Sequence, residues 1–186
     1  MKLGELVSCA LPVMSEYDSD AYPYFFGGTC FLVRYKESLF IVTACHVLKD
    51  KSADALRIPR RPSSRTFLVL RHIWRAPSEL LAHEDPEKYD WAVIGADWPS
   101  PDADDPLSPV LDLDAMGIAA MKVLPDGYKL VVRGFPKELS GIDFESLRIR
   151  WQAFAGTGTY AGEPGWDKCH TLKLDDPSLV ANYDGL

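Results

Sequence analysis

No apolar run in this chain approaches the roughly 18 residues that a membrane-spanning helix needs, so an integral helical membrane protein is excluded. An excess of positive charge is also missing. Lys and Arg number 20 against 27 Asp and Glu, a formal net charge of -7, whereas phosphate backbones and anionic lipid surfaces are held by clustered cations. The expectation is no nucleic-acid partner and no membrane partner. The one basic grouping, Arg57 with Arg60 and Arg61, reads as a solvated loop. Cysteine is scarce and scattered: Cys9, Cys30, Cys45 and Cys169 form no CxxC pair, which leaves no zinc site and implies neither metal nor cofactor. The short apolar stretch at the N-terminus is broken by Glu5 and lacks a small-residue cleavage site before Glu16, Asp18 and Asp20, so no secretory signal is read there. A cytoplasmic protein with reduced thiols is expected, and a Cys30–Cys45 bridge stays open for an oxidising compartment.

What the chain does have is a hydrophobic fraction of 47% over 186 residues, enough for a substantial core in one large domain or two small β units. Short β-branched runs dominate. Residues 30–35 and 39–43 flank the polar turn Lys36-Glu37-Ser38, the pattern of a hairpin. Strands are also expected over 6–13, 55–58 and 65–72, the last alternating Phe67, Val69 and Arg71 against Leu68, Leu70 and His72. One helical turn is expected over 78–83. Residues 98–109 carry four prolines, a composition suited to a connector rather than a core. Beyond it, strands are expected over 110–113, 128–133, 144–154 and 169–174, with a glycine-rich loop over 156–165. No helix longer than two or three turns is required. Short strands with Gly and Pro turns indicate an all-β sandwich or barrel. The expected division is 1–98, a linker over 99–109, and 110–186.

Two polar residues stand out against this background. His46 follows the hairpin directly, in Thr43-Ala44-Cys45-His46-Val47-Leu48, with small residues before it and apolar ones behind. Asp90 opens the apolar run Asp90-Trp91-Ala92-Val93-Ile94, 44 positions later. Asp85 and Asp97 are weaker rivals, one in a charged loop and one at the far end of the strand. A histidine and a buried carboxylate in that order supply a general base and the group that orients it.

With Gly27-Gly28-Thr29-Cys30-Phe31-Leu32-Val33 and Gly134-Phe135-Pro136 added, the chain resembles the trypsin-like serine peptidases, especially bacterial ones, from about residue 27 onward. The resemblance implies two antiparallel β-barrels of chymotrypsin type with the active site between them, His46 and Asp90 both from the first. It implies a nucleophile in a Gly-x-Ser-Gly turn of the second barrel. Gly185 and Leu186 look like the start of that turn, with Gly185 at the oxyanion hole, and the serine that should follow is not among the 186 residues. Ser140 and Ser178 lie in ordinary turn contexts. On this reading the second barrel is incomplete and residues 1–186 alone are inactive, since loss of the triad serine costs about 10⁶ in turnover. The resemblance also places the substrate-pocket floor at Ala181, which offers no carboxylate to a basic side chain. The implied partners are a polypeptide substrate or protein partner and the remainder of the second barrel. The competing reading is a non-catalytic pseudo-peptidase whose cleft holds a peptide.

Overall fold

In the computed structural model the residues described are 9–16, 24–77, 90–100, 104–116, 127–143, 145, 148–161 and 172–184. They form two sheets. The first holds β1 (Ala10–Glu16), β2 (Tyr24–Tyr35), β3 (Ser38–Thr43), β4 (Leu56–Arg57), β5 (Leu70–Arg75), β6 (Ala92–Ala96) and β7 (Leu111–Asp112), in the order β4-β1-β2-β3-β6-β5, with β7 added beside β2.

The β2–β3 hairpin forms where the alternation places it. Leu39 and Ile41 point inward and are fully buried while Ser38 is exposed, and Leu32, Ile41 and Ile94 line up across β2, β3 and β6. The turn is tighter than the sequence pattern suggests. Ser38 already belongs to β3, and Lys36 takes φ of 54°, a conformation that costs a side-chain-bearing residue free energy. The Lys36 backbone N–H donates to the Asp114 carboxylate at 2.5 Å, which fixes the turn from α2 (Leu113–Met116).

The sheet curls around a core that includes Leu11, Leu32, Ile41, Leu48, Ile58 and Ile94. Its ends approach through the segment between β4 and β5, where Pro59 bridges Phe67 and the Leu68 N–H donates to the Ile58 carbonyl at 2.9 Å. The sequence pattern placed a strand over 65–72. The strand instead runs Leu70–Arg75, because its partner β6 sets the register (Ile73 opposite Ile94, Trp74 opposite Val93) after an irregularity between Leu70 and Ile73. The arginines expected in a solvated loop are engaged: Arg57 pairs with Glu16 at 2.5 Å and Arg61 with Asp105 at 2.7 Å. Ser108 donates its N–H to the Arg60 carbonyl at 2.7 Å, so part of the proline-rich connector is tied to the first sheet. Leu111–Asp112, read from the sequence as the start of the second half, pairs parallel with Val33 and Arg34 of β2.

The second sheet holds β8 (Lys129–Gly134), β9 (Gly141–Asp143), β10 (Arg148–Tyr160) and β11 (Leu172–Asp184), ordered β11-β10-β8 with β9 also on β10. Two sequence expectations change here. β10 continues through Gly156 and Gly158, where a glycine-rich loop was expected, and β11 continues well past Leu174. Pro177, in β11, lies opposite Gly156 at the edge of the described sheet, where sheets accommodate proline. The helical turn expected over 78–83 lies outside the described residues.

The sheets share a second apolar cluster. Ala10, Met14 and Phe26 from the first meet Phe135, Ile149, Trp151 and Ala153 from the second. Trp151 is fully buried, and truncating so large a buried ring to alanine typically costs about 3–5 kcal/mol. A polar clip sits beside it: Thr29 Oγ1 accepts the Phe135 N–H at 2.6 Å and donates to the Phe135 carbonyl at 3.3 Å. No helix among the described residues is long and apolar enough to cross a membrane.

Candidate active site

The site begins with the bulge in β2. Pairing with β1 jumps from Val13–Gly28 to Met14–Phe26, which leaves Gly27 unpaired and bends the strand. A Cβ on Gly27 would stand 2.8 Å from the Val47 carbonyl oxygen, and one on Gly28, whose φ is +154°, would stand 2.8 Å from Val47 Cγ2. The two glycines therefore seat the short helix α1 (Cys45–Leu48) directly on the strand. Leu48 is buried below, and Thr43 Oγ1 donates to the Thr29 carbonyl at 2.7 Å, securing the end of β3 just before the turn.

His46 projects from this seat with its side chain 73% exposed, and Asp90 meets it at 29% exposure. One carboxylate oxygen, Oδ1, accepts the backbone N–H of His46 at 2.9 Å. The other, Oδ2, contacts Nδ1 of the ring. One residue away the Cys45 thiol donates to the Trp91 carbonyl at 2.9 Å, so the chain at 90–91 is attached to α1 through three contacts. Burial, and secondarily the Asp90 charge, raises the Cys45 thiol above its ordinary pKa, which keeps it protonated as a donor.

With Asp90 accepting at Nδ1, the neutral ring carries its proton there and presents Nε2 as a free lone pair. A hydrogen bond to so exposed a ring adds little to stability. Its consequence is orientational: the ring is held by both edges of one carboxylate, in the tautomer that a general base requires. Among the described residues no hydroxyl is hydrogen-bonded to the His46 ring. Ser140 Oγ donates to the Pro136 carbonyl at 3.0 Å, and Ser178 pairs along the backbone with Ala155. The rival Asp97 is taken by Arg71, whose hydrogen bonds at 2.9 and 2.6 Å hold its carboxyl below the usual range. Asp85 lies outside the described residues.

Ala181, expected at the pocket floor, lies in β11 opposite Ala153. Gly185, expected at the oxyanion hole, lies outside the described residues, as does Cys169. Cys30 and Cys45 are free thiols, so they do not bridge the hairpin. No group of three or more His, Cys, Asp or Glu among the described residues is placed to hold a metal ion. The sequence reading missed Phe25, Lys49 and Lys137, which gather beside α1. Nothing local marks them, because they come from three separate segments.

No protein-family model matches the chain, and no curated protein matches it. Among solved structures it is similar to the crystal structure of the scabies mite inactivated protease paralogue S-D1, with a TM-score of 0.50 and 14% sequence identity, over 82% of this chain. The chain spans 57% of the length of that structure. At this identity the likeness concerns the fold alone, and the fold is all-β and chymotrypsin-like.

Proposed function

We propose that this chain carries the general-base half of a trypsin-like serine endopeptidase site, with His46 as the base and Asp90 as its orienting carboxylate. The observation that supports the reading most strongly is the double hold of one carboxylate on the backbone N–H and the Nδ1 edge of the same histidine. A residue that only capped a turn would need the first contact and not the second. In the proposed reaction Nε2 takes the proton of an attacking hydroxyl and returns it to the leaving amine. The nucleophile is proposed to stand after Gly185 and Leu186, with Gly185 beside the oxyanion hole and Ala181 giving a small, neutral pocket floor. A reducing, cytoplasmic setting is part of the same proposal.

A second reading is a pseudo-peptidase that holds a polypeptide without cutting it. Two observations favour it: no hydroxyl is hydrogen-bonded to the His46 ring among the described residues, and the similar solved structure is described as an inactivated protease paralogue. Fluorophosphonate labelling separates the two. Residues 1–186 are expected to stay unlabelled, and a chain extended after Leu186 by residues that begin Ser-Gly to label in a manner abolished by His46→Ala. Absence of labelling in the extended chain favours the binding module.

A further inference from the structure

Phe25, in β2, has two ammonium groups near its ring. Lys49 Nζ lies 5.0 Å from the ring centroid and Lys137 Nζ lies 4.8 Å from it. Lys49 is the residue that ends α1, three positions after His46, and Lys137 opens the turn Lys137–Leu139 that follows Phe135. One lysine thus comes from the first sheet's side of the site and the other from the second sheet's connection. Both distances fall within the range at which a ring face attracts a cation. They also bring the two nitrogens within about 10 Å of each other, one Debye length at 0.1 M salt, so their fields add over the space between them.

Among the described residues no carboxylate neutralises this pair. Among the described residues neither ammonium forms an ion pair, although the protein as a whole carries a net charge of -7. Glu16, the last residue of the strand paired with this part of β2, is occupied by Arg57 at 2.5 Å. Asp50 and Glu138, adjacent in sequence, do not pair with the lysines. The backbone of Lys49 is held at φ 51°, a conformation that a lysine adopts only at a cost. Two like charges gathered on one aromatic ring, in an acidic protein and next to the His46 turn, make a favourable place for an anion.

We infer that Lys49, Lys137 and Phe25 form a carboxylate-accepting subsite beside His46, which takes an acidic side chain or the free C-terminus of a polypeptide lying in the cleft. The inference rests on the proposed function only in that the cleft holds a polypeptide; it requires no cleavage. The carboxylate lies between the two ammonium groups while the ring gives its aliphatic portion an apolar wall. Because each contribution is a solvent-accessible pair, the effect is a preference rather than an absolute requirement.

The test is fluorescence anisotropy of residues 1–186 with labelled, C-terminally amidated hexapeptide pools. In each pool one position is fixed as Glu or as Gln and the others are mixtures of neutral residues. A further neutral pool carries a free C-terminal carboxylate. At one position the Glu pool is expected to bind about threefold to tenfold more tightly than the Gln pool at low salt. That preference shrinks as salt shortens the screening length, disappears in K49Q/K137Q and persists in K49R/K137R. A gain confined to the free-carboxylate pool, with the same response to the lysine variants, assigns the subsite to the polypeptide terminus. If K49Q does not fold, K137Q alone is expected to reduce the preference. Equal binding of Glu and Gln pools at every position with no gain from a free terminus overturns the inference and leaves the peptide-holding cleft standing. So does a preference that survives loss of both lysines. Failure of every pool to bind overturns the cleft reading together with the subsite.

Discussion

Asp90 meets His46 twice, accepting its backbone N–H at 2.9 Å with one oxygen and contacting the ring at Nδ1 with the other. The two residues arrive from opposite directions, one from the helical turn after β3 and one from the segment entering β6. Strand pairing brings them together, since Thr43 of β3 lies opposite Ala92 of β6. The expected consequences follow from how that meeting is held.

Gly27 permits α1 to lie against β2, and the nearest atom to a Cβ there is a backbone oxygen at 2.8 Å, which cannot swing aside as a side-chain end could. Gly27→Ala is expected to destabilise the protein by about 1–3 kcal/mol through overpacking. Urea denaturation checks the stability. The same variant should shift the His46 imidazole resonances, because α1 must move to relieve the clash.

Thr29 Oγ1 serves both polar groups of Phe135. Thr29→Val keeps the shape and removes the hydroxyl, so both bonds to the Phe135 backbone are lost, and should cost about 1–3 kcal/mol. Thr29→Ser should cost much less. The comparison of the two denaturation midpoints tests whether the hydroxyl, rather than the side-chain volume, joins the sheets.

The Asp105 carboxyl is pulled below its ordinary range. Burial opposes this, but the Ser64 and Thr66 hydroxyls and the Arg61 charge together outweigh it. A depressed folded-state pKa contributes stability that is present above the unfolded value of about 3.9 and is lost as pH falls through the folded value. Thermal melting from pH 6 downward should therefore show a loss below about pH 4 that is smaller in Asp105→Asn. An identical acid profile in that variant would assign the loss to other carboxyls.

Cys45 is held protonated first by burial and then by the Asp90 charge. Asp90→Asn removes the second cause, so alkylation of Cys45 by iodoacetamide at pH 8 should accelerate. Mass spectrometry of the modified peptide gives the rate, and an unchanged rate would show that burial alone governs the thiol.

The residues that read clearly from sequence are those whose signal is local. His46 and Asp90 are each embedded in a short motif, and the β2–β3 hairpin carries its own period of two. What did not read clearly depends on partners far along the chain. Leu70–Arg75 takes its register from β6, and Leu111–Asp112 pairs with β2 across 78 positions at Arg34–Asp112. β11 includes Pro177 and consecutive aspartates that read as a turn until β10 is present beside them. Thr29 gave no sign of its bond to Phe135, although both lie in motifs that the sequence singles out. Phe25, Lys49 and Lys137 become a cluster only when both sheets have formed.

The most direct test of the central claim is the tautomer of His46. Long-range 1H–15N correlation spectra of the neutral ring distinguish a protonated Nδ1 from a protonated Nε2. The account predicts that the neutral His46 ring carries its proton on Nδ1, with Nε2 as the free acceptor, and that Asp90→Asn abolishes this fixed preference. A ring protonated on Nε2, or one averaging between tautomers identically in wild type and Asp90→Asn, would contradict it.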